Sequence, residues 1–540
     1  MRILCASVIS IVLPVSLAGC GGRSSALPPA PAGPQTTVSM AFDKTSVAAG
    51  EIATLTWSST TSTKCTASGD WQGAQLTSGS QSVASVAPGN YIYNLFYGGD
   101  GGTASASARL TVNSATGSPS QIPIPAPGPA APCVSNCYYV DSNLGSDQNN
   151  GTSPITPFLT LQKAANTVGP GATVVVASGI YTDPVHSVVN ISTSGTSNAW
   201  IRFIAGPGQH PVVQIPHSDV GGAGFLVMAS YIEIDGFEVI GQNQSLTSAM
   251  QKANPSSALF NEYCIGIMGN PAQSLPHDVI IRNNVIHDCS AAGIGLAVGD
   301  SVTIAYNKVY NNAWYTDSSG ISLYHLTDAP GSTASHGYKN FILGNVAWNN
   351  NNNLGTQITD GNGIIIDDNL HTWSALGSKD PQYVPYNGRT YVANNVVYGN
   401  GGKGVHAFES AHIDFVNNTS YNNLLTPSIQ IDTDAYGSCY DVNIVNNIAV
   451  NLNGKQVDET DNGAYSNNLW WGTDVPMLGI NDLKADPVFV NPAKNPPDFT
   501  PTAGSPALGS GIAVFAPATD IAGNPRNPLA VDRGAIQVTH

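Results

Sequence analysis

The side chains best suited to chemistry are three aspartates in one short stretch, Asp360, Asp367 and Asp368. Carboxylate oxygens bind hard cations such as Ca²⁺, and paired carboxylates can also serve as an acid and a base. Two adjacent carboxylates repel each other unless a cation, a proton or a basic group offsets their charge. The adjacent pair therefore favours a functional site, while a role in capping turns remains open for each aspartate.

Two histidines and two cations extend this set. His325 and His406 can act as bases near neutral pH, and Lys403 and Arg389 are the cations nearest in sequence. A single surface histidine is more often inert, but two histidines beside an acidic pair favour a site. We therefore predict the catalytic set His406, Lys403, Asp368 and Arg389, with Asp360, Asp367 and Asp368 as metal ligands.

Aromatic side chains near these groups could contact a sugar. Tyr324, Phe408 and Trp373 have rings of the kind that stack on sugar faces, with ordinary surface packing as the alternative. His325 and Glu409 occupy neighbouring outward positions. These five residues form the predicted substrate-binding set.

The candidate residues belong to a series of similar segments. The segments begin at Gly266, Gly293, Gly320, Gly363, Gly404 and Ser428. Each is followed by a second short strand that ends in an asparagine, at Asn284, Asn307, Asn345, Asn395, Asn418, Asn447 and Asn468. The shortest steps between these asparagines are 21 residues (447 to 468) and 23 residues (284 to 307). A repeat of this length with two or three short strands is typical of one coil of a parallel β-helix.

Alternation within the segments predicts which side chains face the interior. The first and third residues after each starting residue are apolar, and we expect them to point inward. They are Ile294, Leu296, Ile321, Leu323, Ile364, Ile366, Val405, Ala407, Ile429 and Ile431. The outward residues include Tyr324, Asp367, Phe408 and, in the last segment, Gln430 and Asp432. Ionisable outward groups therefore cluster on four adjacent coils.

Two long insertions, 326–339 and 369–389, leave the same coils after the same strand. Long loops on a compact solenoid are usually functional. We therefore expect both insertions to wall one groove beside the ionisable residues.

Composition supports an all-β chain and limits its partners. Only 10% of the 540 residues are charged and 56 are glycine, which suits many tight turns. The formal net charge of −16, with 19 Lys and Arg, argues against a nucleic-acid partner. An anionic glycan would also be repelled unless a cation or a local basic cluster intervened. We expect a monomer.

Residues 1–20 have the features of a signal peptide, with Arg2, an apolar run and a final Leu17-Ala-Gly-Cys20. This end resembles a bacterial lipobox, which implies lipidation at Cys20 and a lipid anchor in the bacterial cell envelope. Gly21 resembles the sorting pattern of outer-membrane lipoproteins. An ordinary signal peptide with a chance cysteine is the alternative. Residues 21–37 are rich in Pro, Ala, Ser and Gly and predict a flexible linker.

Residues 38–113 alternate apolar and polar side chains between frequent turns, which predicts a small β-sandwich. Trp57-Ser-Ser and Cys65-Thr-Ala-Ser-Gly resemble a motif of bacterial immunoglobulin-like modules. The partner cysteine of those modules falls at Tyr97, so their usual disulfide is missing. A spacer role is favoured over glycan binding. Residues 114–137 form a second Pro- and Gly-rich linker.

The β-helix is predicted over 138–540, with a short amphipathic helix around Phe158, Leu161, Ala165 and Val168 that plugs its open end. Cys133 and Cys137 are close enough to bridge locally. Cys264 and Cys289 lie one coil apart and could cross-link neighbouring coils. Cys65 and Cys439 have no evident partners.

The opening, the repeats and the tail of 138–540 resemble pectate-lyase-like right-handed parallel β-helix proteins. The resemblance implies an all-β fold and polysaccharide lyase activity with Ca²⁺ and a lysine base. However, the calcium-binding segment of those lyases is here Ser318-Ser-Gly-Ile-Ser322, and their lysine position is Ile365. A site would then depend on Asp367, Asp368 and His406. Thr359-Asp-Gly361 is locally similar to polygalacturonases, but their Gly-His-Gly motif is missing.

We therefore predict a surface-anchored polysaccharide lyase that acts on a uronic-acid-containing glycan with the help of a divalent cation, Ca²⁺. Two other functions remain open. The missing lysine and the acidic balance favour a non-catalytic glycan-binding or adhesin-like protein. A glycoside hydrolase would use paired aspartates, with carboxyl groups about 6.5–9.5 Å apart in an inverting enzyme.

Overall fold

The computed structural model describes most of the chain beyond the first linker. The described residues are 37–48, 52–60, 64–69, 71, 73–84, 89–99, 102–113, 124, 127–129, 131–184, 187–216, 222–335, 337–353, 360–372, 384–424, 433–436, 438–452, 463–472 and 479–539. Cys20 and Trp373 lie outside them. No helix in the described ranges is both long enough and apolar enough to cross a membrane.

The N-terminal region contains two antiparallel-rich sheets with a shared apolar core. Its strands are β1 (Val38–Phe42), β2 (Ser46–Ala48), β3 (Ile52–Ser59), β4 (Lys64–Gly69), β5 (Gly73–Gln75), β6 (Ser78–Ala84), β7 (Gly89–Gly99) and β8 (Gly102–Asn113). One sheet has the order β1-β3-β6 and the other β2-β8-β7-β4-β5. Cys65 is a buried free thiol directly opposite Tyr97. The immunoglobulin-like identity of this region stays a prediction.

The rest of the chain consists of many short strands. They are β9 (Cys137–Val140), β10 (Thr173–Val176), β11 (Gly179–Tyr181), β12 (Val189–Ile191), β13 (Ile201–Ala205), β14 (Pro211–Gln214), β15 (Ala223–Val227), β16 (Ile232–Asp235), β17 (Glu238–Ile240), β18 (Tyr263–Met268), β19 (His277–Arg282), β20 (Val285–His287), β21 (Ile294–Ala297), β22 (Asp300–Ala305), β23 (Lys308–Tyr310), β24 (Ile321–Tyr324), β25 (Asn340–Leu343), β26 (Val346–Trp348), β27 (Ile364–Asp367), β28 (Thr390–Ala393), β29 (Val396–Tyr398), β30 (Val405–Phe408), β31 (Ala411–Val416), β32 (Thr419–Tyr421), β33 (Thr433–Tyr436), β34 (Tyr440–Val445), β35 (Ile448–Asn451), β36 (Ala464–Ser466), β37 (Leu469–Gly472), β38 (Leu483–Lys484), β39 (Phe489–Asn491) and β40 (Asp498–Pro501).

Three parallel sheets run the length of this region. Sheet 1 has eight strands in the order β12-β15-β18-β21-β24-β27-β30-β33, and sheets 2 and 3 have eleven strands each, β9 to β36 and β11 to β38. The chain visits sheet 1, sheet 2 and sheet 3 in turn and then begins the next coil. This arrangement is the predicted right-handed parallel β-helix, preceded by small β-sheets. With about 4.8 Å per coil, the eleven stacked strands form a rod roughly 48 Å long.

The predicted inward residues fill the interior of the rod. Ile294, Ile321, Ile364, Val405 and Ala407 are all fully buried in the main hydrophobic core. The last segment, however, is out of register with the prediction, because Val405 pairs with Thr433 and Ala407 with Ala435. Ala435 of that coil is buried. The predicted inward residues Ile429 and Ile431 and the predicted outward residues Gln430 and Asp432 lie outside the described part of the chain.

A helix closes the first coil as predicted. Helix α1 (Leu161–Thr167) begins after Thr160, whose hydroxyl accepts a hydrogen bond from the backbone N–H of Lys163 at 3.1 Å. Phe158, Leu161 and Val168 are buried in the main core. A second helix, α2 (Ser248–Ala253), and two 3₁₀ turns, Asn243–Ser245 and Ala258–Phe260, lie in one insertion between β17 and β18.

The corner between sheets 2 and 3 (corner 2–3) carries the predicted asparagine ladder. On each coil the side-chain oxygen of one asparagine accepts hydrogen bonds from both the backbone N–H and the side-chain amide of the asparagine one coil below. The ladder joins Asn284, Asn307, Asn345, Asn395, Asn418, Asn447 and Asn468. Asp482 receives the last two hydrogen bonds. The residue before each asparagine is in the left-handed region, for example Asn394 with φ 58°.

A second asparagine ladder stands at the corner between sheets 3 and 1 (corner 3–1). It joins Asn312, Asn350, Asn400 and Asn423, and the backbone N–H of Cys289 donates to its first member. A Cβ at Gly320 would lie only 2.5 Å from the side-chain amide of Asn350, which explains why the segments begin with glycine. The sequence analysis missed this ladder, although the Asn-Asn doublets at 311–312, 349–350 and 422–423 are its signal.

Both predicted disulfides are present. Cys264 is bonded to Cys289 across neighbouring coils, and Cys133 to Cys137 just before the first strand of the rod. The described end of the second linker contacts the rod, since the side-chain amide of Asn283 donates to the carbonyl of Gly128 at 2.8 Å. The C-terminal segment packs along corner 2–3, where the guanidinium of Arg526 donates to Asn394 at 2.7 Å.

Replacing one ladder residue should destabilise the rod strongly. Asn395→Ala removes the acceptor of two donors of Asn345 and one hydrogen bond to the carbonyl of Ile342, and each buried donor left without a partner costs about 1–3 kcal/mol. We expect a clearly lower thermal unfolding midpoint, measured by circular dichroism. The exposed Asn387→Ala is the control and should shift the midpoint very little. Equal shifts for both variants would show that the ladder does not stabilise the fold.

Candidate functional site

Three ionisable side chains form a column where successive strands of sheet 1 end. His325, Asp368 and Glu409 directly follow β24, β27 and β30, which are neighbours in the sheet. All three have left-handed backbones, with φ of 52°, 45° and 45°. Non-glycine residues seldom adopt this conformation, and such residues are frequent at functional sites. We call His325, Asp368 and Glu409 the acid–base column.

Hydrogen bonds link the acid–base column across its three coils. Nε2 of His325 lies 2.8 Å from Oδ2 of Asp368. The backbone N–H of Thr372 donates to the other oxygen, Oδ1, at 2.8 Å. The Thr372 hydroxyl in turn donates to Oε2 of Glu409, also at 2.8 Å. Asp368 is fully buried, so its carboxylate holds His325 in place.

Asp367 lies beside the acid–base column on the outer face of sheet 1. It pairs in register with Tyr324 on one side and Phe408 on the other. Burial raises the pKa of Asp367 well above its usual value, and the negative charges of Asp360 and Asp368 raise it further. The Asp367 carboxyl therefore retains its proton more readily than an ordinary aspartate. The structure thus brings the three predicted aspartates into electrostatic contact.

Aromatic rings surround this group of residues. The rings of Tyr324 and His325 stack with centroids 3.8 Å apart, and His371 lies 5.0 Å from His325. His371 Nε2 is 2.9 Å from the carbonyl of Leu326, which ties the two insertions together at their bases. Phe408 is partly exposed at the neighbouring outward position. Tyr324, His325, Phe408 and Glu409 of the predicted substrate-binding set are therefore brought together.

His406 and Lys403 lie farther back along β30. His406 points outward from the middle of the strand but is only 3% exposed, and Lys403 precedes the strand and is 7% exposed. The backbone N–H of Lys403 donates to Oδ1 of Asn362 at 2.7 Å. Neither side chain belongs to the acid–base column. Ile365, which replaces the lysine of the pectate lyases, is also buried at 3%.

The structure does not bring Arg389 to the other predicted catalytic residues. Arg389 precedes β28 of sheet 2, and its guanidinium binds both oxygens of Asp414, at 2.8 and 2.5 Å, and Oδ2 of Asp441 at 2.7 Å. Tyr338 donates to the same Asp414 at 2.6 Å. These contacts give Arg389 a structural role on the outer face of sheet 2. The prediction relied on the short distance in sequence between Arg389 and Asp368. A turn of the chain separates sheet 1, which Asp368 follows, from sheet 2, which Arg389 precedes.

The two insertions lie at the corner between sheets 1 and 2 (corner 1–2). The first, 326–339, extends over lower coils, where the Tyr231 hydroxyl donates to the carbonyl of Gly331 at 3.3 Å. The backbone N–H of Asn387 in the second insertion donates to Asp328 of the first at 3.3 Å. The insertions therefore contact each other, but the described parts pack along corner 1–2 and sheet 2. Residues 373–383 of the second insertion lie outside the described part of the chain.

The described residues do not fit the predicted calcium site. Among them, no group of three or more His, Cys, Asp or Glu side chains is arranged to hold a metal ion. Both oxygens of Asp368 already accept hydrogen bonds, from His325 and from Thr372. Asp360, Asp367 and Asp368 thus act on one another through charge without forming a ligand set.

Sequence reasoning missed two residues of the site, Thr372 and His371. Thr372 connects Asp368 with Glu409, and His371 packs against His325. Their signal was the run Asp368-Asn-Leu-His-Thr372, in which polar side chains follow the aspartate at turn spacing. Thr372 and His371 lie in the second insertion, and they contact the acid–base column because the chain turns back toward it there.

Comparisons with known proteins identify a family and several similar solved structures. A family model described as "Pel9A-like, right handed beta helix region" matches residues 138–436. A crystal structure of pectate lyase Pel9A is 16% identical, with a TM-score of 0.46, over 76% of this chain and 98% of that chain. A rhamnogalacturonan lyase is 18% identical, with a TM-score of 0.36, over 62% and 87%. XylC in complex with xylose is 12% identical, with a TM-score of 0.38, over 75% and 98%. No curated protein matches the sequence.

The raised pKa of the partly buried Asp367 predicts an unusual dependence of stability on pH. Because its folded-state pKa is raised, the folded protein holds the Asp367 proton at pH values where the unfolded chain has released it. Stability is therefore lost as pH rises above about 4, the ordinary aspartate value. We expect Asp367→Asn to melt higher than wild type at pH 7 and to match it near pH 4.

The exposed Asn387→Ala, which changes no titratable group, is the control for this experiment. Its difference from wild type should be the same at both pH values. If Asp367→Asn instead melted lower than wild type at pH 7, the Asp367 carboxyl would be ionised and stabilising.

Proposed function

The chain belongs to the Pel9A-like right-handed β-helix family, and on that basis we propose that it is a polysaccharide lyase that cleaves a uronic-acid-containing glycan by β-elimination. The observation that carries this proposal is the hydrogen bond between His325 and Asp368, which lies beside Asp367 on sheet 1, where burial raises the pKa of the Asp367 carboxyl. A β-elimination needs a base for one proton and an acid for the leaving oxygen. The site contains both kinds of group.

His325 is the proposed base. Its Nε2–H donates to the buried Asp368 carboxylate, so the lone pair that accepts a proton is on Nδ1. Nδ1 takes the proton from C5 of the uronic acid, and the electron pair of the C5–H bond becomes the second bond between C4 and C5. Asp368 stabilises the positive charge that His325 then carries, as a buried carboxylate does for an imidazolium.

Asp367 is the proposed acid. The C4–O4 bond breaks as the double bond forms, and the Asp367 carboxyl donates its proton to the departing O4. A raised pKa suits this role, since an ordinary aspartate would already be ionised at neutral pH. The partly exposed Tyr324 and Phe408 on either side of Asp367 provide ring faces for the sugars that flank the cleaved bond.

The proposal also includes the location of the enzyme in the cell. Lipidation at Cys20 would anchor the protein in the cell envelope, with the Pro- and Gly-rich linkers as spacers. The calcium that related sequences imply has no role in the proposed steps. Activity in the presence of a chelator is therefore part of the test.

The direct test is the ultraviolet absorbance of the unsaturated product on a panel of uronic-acid polysaccharides, with calcium and with chelator. We expect absorbance to rise with wild type in both conditions. His325→Ala should lower the rate about 10²–10⁴-fold, which is typical for loss of a general base or acid. Asp367→Asn should lower kcat in the same range, because it cannot supply the proton.

His277→Asn is the matched control. His277 also pairs with an adjacent aspartate, Asp278, at 2.6 Å, but it lies at the start of β19 in sheet 2 and not in the acid–base column. This variant should keep wild-type activity. A flat absorbance trace on every substrate, with reducing ends also unchanged, would refute an enzyme and favour a glycan-binding protein. New reducing ends without absorbance would favour a glycoside hydrolase.

A further inference from the structure

A pocket of about 570 Å³ lies at corner 3–1, apart from the acid–base column. One wall is the insertion 241–262 between β17 and β18, and the other is Tyr315, Thr316 and Asp317, which precede β24. Its volume is within the range of about 300–1,000 Å³ that is typical of small-molecule sites. We call it the side pocket.

The walls of the side pocket are held by their own small core. Leu246, Leu259, Phe260 and Tyr315 form a separate buried apolar cluster. The Tyr315 hydroxyl donates to the carbonyl of Leu246 at 3.0 Å and joins the two walls. The Ser248 hydroxyl donates to the carbonyl of Asn353 at 3.2 Å and fixes the start of α2 to the rod. The side pocket is therefore formed in advance of any ligand.

Hydroxyl and amide groups dominate the lining. Gln251, Ser256, Asn261 and Thr316 provide both hydrogen-bond donors and acceptors around the rings of Phe260 and Tyr315. Asp317 is the single charged residue among those that line the side pocket. No lysine, arginine or histidine is present there to pair with an anionic ligand. Polar groups around aromatic rings suit a ligand that has hydroxyl groups and no charge.

Glu262 is a second acidic residue close to the side pocket in sequence. It directly follows the lining residue Asn261 and is fully buried, and neither of its carboxyl oxygens has a hydrogen-bond partner among the described residues. Burial raises the pKa of Glu262 to about 8. With this pKa the Glu262 carboxyl adds little negative charge at neutral pH, and Asp317 is the acidic residue that lines the side pocket.

We propose that the side pocket binds an uncharged sugar residue of the same glycan whose uronic acid reaches the acid–base column. This inference rests on the proposed function. Asp317 of the side pocket and Tyr324 beside the column lie near opposite ends of one coil's sheet 1 strand, at most about 23 Å apart at 3.3 Å per residue. The substrate is therefore a glycan that contains both uronic acid and neutral sugar.

Binding of uncharged oligosaccharides tests the side pocket independently of catalysis. Oligomers of galactose, arabinose, glucose or mannose are titrated into the full protein by isothermal calorimetry. We expect at least one to bind wild type, and Ser256→Trp, which fills the side pocket from an exposed position, to weaken that binding about tenfold or more. Ala334→Trp is the matched control at an exposed position of the first insertion and should bind like wild type.

A second measurement separates the two proposals. Ser256→Trp should cleave a linear uronic-acid homopolymer at the wild-type rate, because the acid–base column is intact. If no uncharged oligosaccharide binds wild type, or if Ser256→Trp binds it as tightly as wild type, the side pocket is not a sugar site. If wild type binds the sugars but cleaves no polymer, the lyase fails and the sugar site stands. If wild type bound only amino sugars, which carry a positive charge, the proposal of an uncharged ligand would be wrong.

Discussion

The buried asparagines of the two ladders hydrogen-bond to one another from coil to coil. In the corner 2–3 ladder, Asn395 accepts two hydrogen bonds from Asn345 and donates to Asn418. A coil that shifted by one residue would bury these groups without partners, at about 1–3 kcal/mol each. The ladders therefore fix the register of all three sheets, and with it the alignment of side chains from one coil to the next. The acid–base column exists only because of this alignment.

The third corner is different, and this difference makes room for a site. At corner 1–2 the described side-chain hydrogen bonds between coils form two short runs, one through Ser194 and Ser230 and one through Asn369 and Ser410, instead of a long asparagine ladder. Three left-handed positions directly follow β24, β27 and β30 at this corner. His325, Asp368 and Glu409 occupy those positions, and both long insertions leave the rod here. Two corners thus stabilise the solenoid, while the third carries the ionisable groups.

Much of the fold could be predicted from the sequence because its signals are local and periodic. Alternation placed Ile321, Ile364 and Val405 in the core, and the asparagine spacing located corner 2–3. The register of β33 could not be predicted, because Ile429 and Ile431 alternate in the sequence as well as Thr433 and Ala435 do. The register is known only from the pairing of β33 with β30.

The candidate site was predictable in part for the same reason. Tyr324, His325, Asp367, Asp368, Phe408 and Glu409 follow from the repeat, because each lies at a fixed distance from a segment start. Arg389 does not, because its partners Asp414 and Asp441 come from later coils of another sheet. The contacts of Thr372 and the side pocket likewise depend on insertions. The insertions do not repeat from coil to coil, so no sequence period predicts their contacts.

The end of the corner 2–3 ladder has a consequence for assembly. Parallel coils present the same unpaired groups at the top of the rod as at every coil below, so an open end could stack on a second molecule. Asp482 accepts both hydrogen bonds from Asn468, but a carboxylate has no amide hydrogen to pass to another coil. One change of residue type, from amide to acid, therefore ends the corner 2–3 ladder and leaves it no side-chain donor to offer to a further coil.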